Sequence, residues 1–152
     1  MEQSILLLDE KTDNAAKQML ENVVKRKKKF DDFKFNHNLS IMITLGFSFI
    51  FLVYLYKTVV IPYSYSFMAM FSVFFQKEIN LFFLVITIGM YGMMTLLKAK
   101  REKAEKEYHA LRCEIVDRSK DLWKKEEEWK SRHKVFEMMK EKYDINLFHE
   151  SK

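Results

Sequence analysis

A chain of 152 residues fits one modest domain by length, yet 49% of it is hydrophobic and 31% charged, and the mean hydropathy of -0.23 averages two extremes held in separate blocks. Three glycines, one proline and a 15% aromatic share exclude a turn-rich β protein and suit long uninterrupted helices. The lone Cys113 excludes an internal disulfide, and the net charge of +5 sits beside apolar blocks or among glutamates, which reads as membrane-flanking charge rather than a nucleic-acid surface.

Residues 1–38 form a polybasic N-terminal segment. Asp13 or Asn14 is a helix cap, and Ala16, Met19, Leu20, Val23 and Val24 follow at helical spacing, so a short amphipathic helix is expected. It leads into Lys25, Arg26, Lys27, Lys28 and Lys29, a topology anchor and lipid contact in which each cation near an anionic leaflet contributes about 1 kcal/mol.

Residues 39–61 form the first predicted transmembrane helix. Leu39 to Tyr56 holds no charge, and the helix reaches Ile61 if Lys57 snorkels to the headgroups, with Pro62 marking its end. A cleaved signal peptide is not expected, because this block begins near residue 39 and lacks a small-residue cleavage site. Residues 62–78 are an extracytoplasmic interfacial or shallow re-entrant connection, with Tyr63 and Tyr65 at headgroup depth. The second transmembrane helix is 79–97, again without charge. Roughly 20 apolar residues cross a hydrocarbon layer about 30 Å thick, and both blocks qualify.

Lysine and arginine cluster before the first span and after the second, from Lys98 through Arg112, while Lys57 and Lys77 are the only cations between. Basic loops stay inside, so the expectation is a multi-pass protein of the cell (inner) membrane with both termini cytoplasmic. Within the bilayer, Ser40, Thr44 and Ser48 recur every four residues, and Gly89, Gly92 and Thr95 every three. Small residues let helices approach closely where lipid gives no hydrophobic drive, so these stripes are expected to form the seam of the hairpin.

Residues 98–152 form a charged helical region without glycine or proline as far as Tyr143. One apolar position recurs every seven residues: Tyr108, Ile115, Leu122, Trp129, Phe136 and Tyr143. The companion position holds Leu111, Arg118, Lys125, Arg132 and Met139, so its middle is basic and the stripe is narrower than a self-sufficient zipper. A continuous helix from Lys98 to Tyr143 would extend about 70 Å. The predicted fold class is therefore an all-α membrane protein, a two-helix transmembrane hairpin with a long cytoplasmic coiled-coil-like helix. Trp123 lies off the heptad register and is expected at a second packing contact or the membrane surface.

His109 and Cys113 share a helix face, but two ligands fall short of a zinc site. Neither a phosphate loop nor a nucleophile elbow occurs, so no cofactor and no enzyme activity is expected. The segments Leu111-Arg-Cys-Glu-Ile115, Lys120-Asp-Leu-Trp123, Phe136-Glu-Met-Met-Lys140 and Asp144-Ile-Asn-Leu-Phe-His149 resemble the YpbF-like family of small two-span Bacillus-type membrane proteins. The resemblance implies a bacterial membrane protein and carries no activity. The functional expectation is an interaction or scaffold protein whose partners are the lipid bilayer and either itself or another membrane or cytoplasmic helical protein, with no nucleic acid. A small oligomeric holin-like pore and a lipid-sensing regulator are the alternatives.

Overall fold

The computed structural model describes residues 14–124 and 126–148, and every regular element among them is helical. In chain order these are α1 (Asn14–Leu55), a π-helical turn (Tyr56–Val60), α2 (Ile61–Tyr63), α3 (Phe67–Gln76), α4 (Glu78–Asp117), α5 (Ser119–Leu122) and α6 (Glu126–Tyr143). The chain divides into two compact units, one joining both flanks (residues up to Asp32 and from Arg101) and one made of Phe33–Lys100.

The short N-terminal helix expected from the sequence is instead the first part of a 42-residue helix. No glycine or proline interrupts the stretch before Gly46, so the helix propagates without a stop signal. Of the two expected caps, Asp13 lies outside the described residues and Asn14 is the first helical residue.

In the Phe33–Lys100 unit, Phe83 of α4 packs against Phe47, Phe51 and Tyr54 of α1, with ring centroids 5.7 to 5.9 Å apart. The π-helical turn has a local cause. Pro62 lacks an N–H and its ring crowds the carbonyl four residues back, a conflict relieved by a wider turn. Thr58 Oγ1 donates to Tyr54 O at 2.9 Å within the same stretch. Ser66, in extended conformation, then caps α3 by accepting from Ala69 N at 3.4 Å. Asn80 is fully buried, and its Nδ2 donates to Phe74 O at 3.1 Å, tying the start of α4 to the end of α3.

The outside of this unit is apolar. Met42, Leu45, Phe49, Ile50, Val85 and Ile88 are all exposed, and only 6% of the most apolar window in each long helix is buried. Those windows have mean hydropathies of 2.1 and 1.9, so two helices are long and apolar enough to cross a membrane. The hydroxyls of Thr87 and Thr95 are spent within α4, donating to Phe83 O at 2.8 Å and Gly92 O at 2.7 Å.

The flank unit is organised in the opposite sense, around an apolar core. Ala16, Leu20, Val23 and Val24 from α1, Ile115 from α4, Trp123, and Phe136 and Met139 from α6 are all buried. The continuous helix expected from Lys98 to Tyr143 is broken twice, at Arg118 and around Trp123. Neither break has a glycine or proline. Helix propensity is worth tenths of a kilocalorie per residue, whereas burying a large apolar side chain contributes about 1.5–3 kcal/mol, so burial of Leu122 and Trp123 overrides it. At the end of α6, Asp144 takes up a left-handed conformation (φ 56°), and its N–H reaches Lys140 O at 3.1 Å. That turn drives Ile145 and Leu147 back into the core, where both are buried.

Candidate functional site

The heptad residues meet their partners inside the same chain. Tyr108, Ile115, Leu122 and Phe136 are buried in the flank unit, and Tyr143 is half-buried. The seam is thus an internal core stripe rather than an open face, because the returning α6 and the first half of α1 supply the apolar surface that it needs. Phe30 stacks on Tyr108 with centroids 6.1 Å apart and rings nearly parallel. Trp123, off the heptad register, is only 1% exposed and meets Phe136 edge-on at 5.6 Å. It belongs to the core and not to the outer surface. Trp129 is the exception in the heptad series at 38% exposed, with the Arg132 guanidinium 3.7 Å from its ring centroid.

The polybasic run is held largely by acids of its own unit. Lys25 pairs with Glu21 at 2.9 Å, and Lys27 with Asp31 at 3.2 Å and Asp144 at 3.6 Å. Arg26 Nη1 donates to Glu107 O at 2.9 Å, and Lys29 lies 3.8 Å from the Glu107 carboxylate. Lys28 is exposed and has interactions of its own. The hydrogen bond from Lys25 holds the Glu21 carboxyl below its ordinary value. The Lys27 ammonium also lies 5.7 Å from the ring centroids of both Phe30 and Tyr108. These cations therefore help fasten α1 to the returning chain, a role that their sequence clustering alone does not reveal.

Burial pushes the Tyr108 phenol above its ordinary value of 10.0, against the opposing pull of Lys27 and Arg112. The neutral phenol is the form that the fold favours. Its contribution to stability is complete below about pH 10 and is lost as pH rises through the higher folded value. Tyr108→Phe is expected to blunt this alkaline loss, as measured by the helical circular dichroism of purified protein between about pH 9 and about pH 11.5.

Between the long helices of the Phe33–Lys100 unit, Thr44 is buried and Ser40 half-buried, and both line a cleft with Met90 and Met93. Ser48 is half-buried as well. Gly89 and Gly92 are not at this seam. A methyl group added at either would meet nothing within 4 Å, so neither allows a close helix approach. Aromatic side chains around Phe83 pack at the interface instead, and bulky side chains hold helix axes apart where small ones would not. The sequence assigns no role to Asn80 and leaves His37 as an isolated histidine, yet both are buried. A polar side chain at the edge of an apolar block is an ordinary interfacial feature, and periodicity gives no signal that it turns inward.

Fold and surface together define a class: an all-helical protein carrying two helices long and apolar enough to cross a membrane, with a separately packed unit made from its two flanks. Residues 19–150 match the family described as "Protein of unknown function (DUF2663)", and the chain belongs to that family. It is also 37% identical over 145 residues to "Uncharacterized protein YpbF" of Bacillus subtilis (strain 168), with 95% of each chain covered. No solved structure matches the chain.

Proposed function

We propose that this protein is an integral membrane interaction protein: a two-span hairpin of the cell membrane, with both flanks in the cytoplasm, presenting a small folded unit to partner proteins. The observation that carries the reading is the co-folding of the two flanks. Residues 14–32 and the described residues from 101 to 148 contribute to one core, which supports a reading with both flanks on the same side of the bilayer and an even number of crossings between them. The ten residues of α3 extend about 15 Å, too short for a third crossing. The basic flanks favour the cytoplasmic side.

Most of the heptad seam is occupied internally, so docking is assigned to the outer face of α6, where Trp129 and Arg132 lie together. Tryptophan and arginine are the side chains that most often anchor protein interfaces. Self-association through the same face is the form that needs no second protein.

Single cysteines at Ser4, Ser66 and Ser151 in a Cys113→Ser background, probed in intact cells with a membrane-impermeant thiol reagent, test the topology. Labelling at Ser66 alone is the expected result, and labelling at either terminal site overturns the reading.

A further inference from the structure

The short helix α3 has three distinct sides. Met70, Val73 and Phe74 form an inner one, half-buried where the helix folds back against the π-helical turn and α2. Phe67, Phe71 and Phe75 recur every four residues along a second, their ring centroids 6.4 and 4.8 Å apart, with Met68 beside them. Ser72 and Gln76 make up the third, which is exposed, and Gln76 Nε2 donates to Ser72 Oγ at 3.2 Å.

Area and charge together select what meets the phenylalanine side. Phe67, Met68, Phe71 and Phe75 are each 50% to 73% exposed, which at about 150–250 Å² for a large side chain amounts to roughly 500 Å² of apolar surface. A patch of that size is near the upper end of what a monomer leaves to water. It also falls short of the roughly 800 Å² per partner that a stable interface with a second copy takes. Ile61 before the helix and Ile79 after it are exposed as well, so apolar surface continues from α3 in both chain directions. No charged residue occurs from Thr58 to Gln76, and Lys77 just beyond is followed by the opposite charge of Glu78. Nothing on this segment therefore singles out an anionic headgroup. Insertion of uncharged aromatic side chains depends on room between headgroups, so it varies with lipid composition and curvature.

We propose that α3 lies side-on in the extracytoplasmic leaflet, with Phe67, Phe71 and Phe75 among the acyl chains and Ser72 and Gln76 among the headgroups, and that it responds to the packing of those lipids rather than to their charge. This rests on the membrane reading above. The contacts with α2 and the hydrogen bond from Asn80 to Phe74 O hold α3 where the two long apolar helices end, so a change in its depth is felt at the base of the hairpin.

The test uses the full-length protein in a Cys113→Ser background, with one nitroxide-labelled cysteine at a time, reconstituted in phosphatidylcholine vesicles. Spin relaxation by oxygen, which partitions into hydrocarbon, is compared with relaxation by a water-soluble nickel chelate. Phe67→Cys, Phe71→Cys and Phe75→Cys are expected to favour oxygen at a common depth, and the neighbouring Ser72→Cys to invert the ratio in favour of nickel. Adding diacylglycerol, whose missing headgroup opens gaps in the surface, should raise the oxygen-to-nickel ratio at Phe71→Cys, and exchanging phosphatidylcholine for phosphatidylglycerol should leave it unchanged. Depth that increases steadily from position 67 to position 75 means that the helix enters the bilayer end-on, and protection from both reagents means that a second copy covers it. Either result overturns the proposal, as does a ratio that follows phosphatidylglycerol or ignores diacylglycerol. Val85→Cys, within the second span, separates the two levels of failure: nickel access there overturns the membrane reading itself, whereas oxygen access there confines the failure to α3.

Discussion

Trp123→Ala is expected to destabilise the flank unit by about 3–5 kcal/mol, the usual cost of truncating a buried tryptophan. Trp129→Ala, at a site 38% exposed, should cost less than about 1 kcal/mol, mainly a lost cation–π contact. Hydrogen exchange on the full-length protein separates the two. At Leu20, Val23 and Met139, which are all fully buried, the first substitution should accelerate exchange at least about a hundredfold, since each decade corresponds to about 1.4 kcal/mol. The second should leave those amides protected while reducing any association through α6. An open heptad zipper predicts the reverse order, with Trp129 the sensitive position and Trp123 the tolerant one.

The second large effect concerns the outside of the helix pair. Ile50 and Val85 are each 67% exposed. If water surrounded them, Ile50→Lys and Val85→Lys would be near-neutral surface changes, within about 0.5 kcal/mol. In a bilayer, lysine at mid-span costs about 2.5–3.5 kcal/mol and isoleucine or valine is mildly favourable, so insertion of the affected helix should fall by roughly a hundredfold or more. The fraction of each variant that resists alkaline carbonate extraction measures it. Unaltered membrane retention of the double variant would overturn the bilayer reading, because two lysines at mid-span are costly in hydrocarbon.

The apolar blocks were legible because length and hydropathy are local properties, read directly from Leu39 to Tyr56 and from Ile79 to Leu97. The flank unit was only half legible. Tyr108, Ile115, Leu122 and Phe136 of the heptad position are buried, but periodicity cannot say whether the partner is another chain or the same one. Two signals pointed inward: the stripe Ala16, Leu20, Val23 and Val24 needed a cover, and the basic companions Arg118, Lys125 and Arg132 made the seam too narrow to stand alone. The pairing of these segments is a tertiary fact with no local signature. Gly89 and Gly92 misled for a related reason. A small-residue stripe marks a face where a helix can approach closely, without requiring that its nearest neighbour use that face.

The shared core of the flanks also constrains how the protein is made. The face of Ala16, Leu20 and Val23 is synthesised first, yet its cover arrives only with Ile115, Phe136 and Leu147. At about 5–20 residues per second, the roughly 90–130 intervening residues take on the order of ten seconds to emerge. Throughout that interval the nascent N-terminal helix carries an uncovered apolar stripe. Completion of the flank core is consequently a late event in biogenesis. A molecule in which that cover fails to close retains an exposed apolar surface that quality-control proteases can recognise.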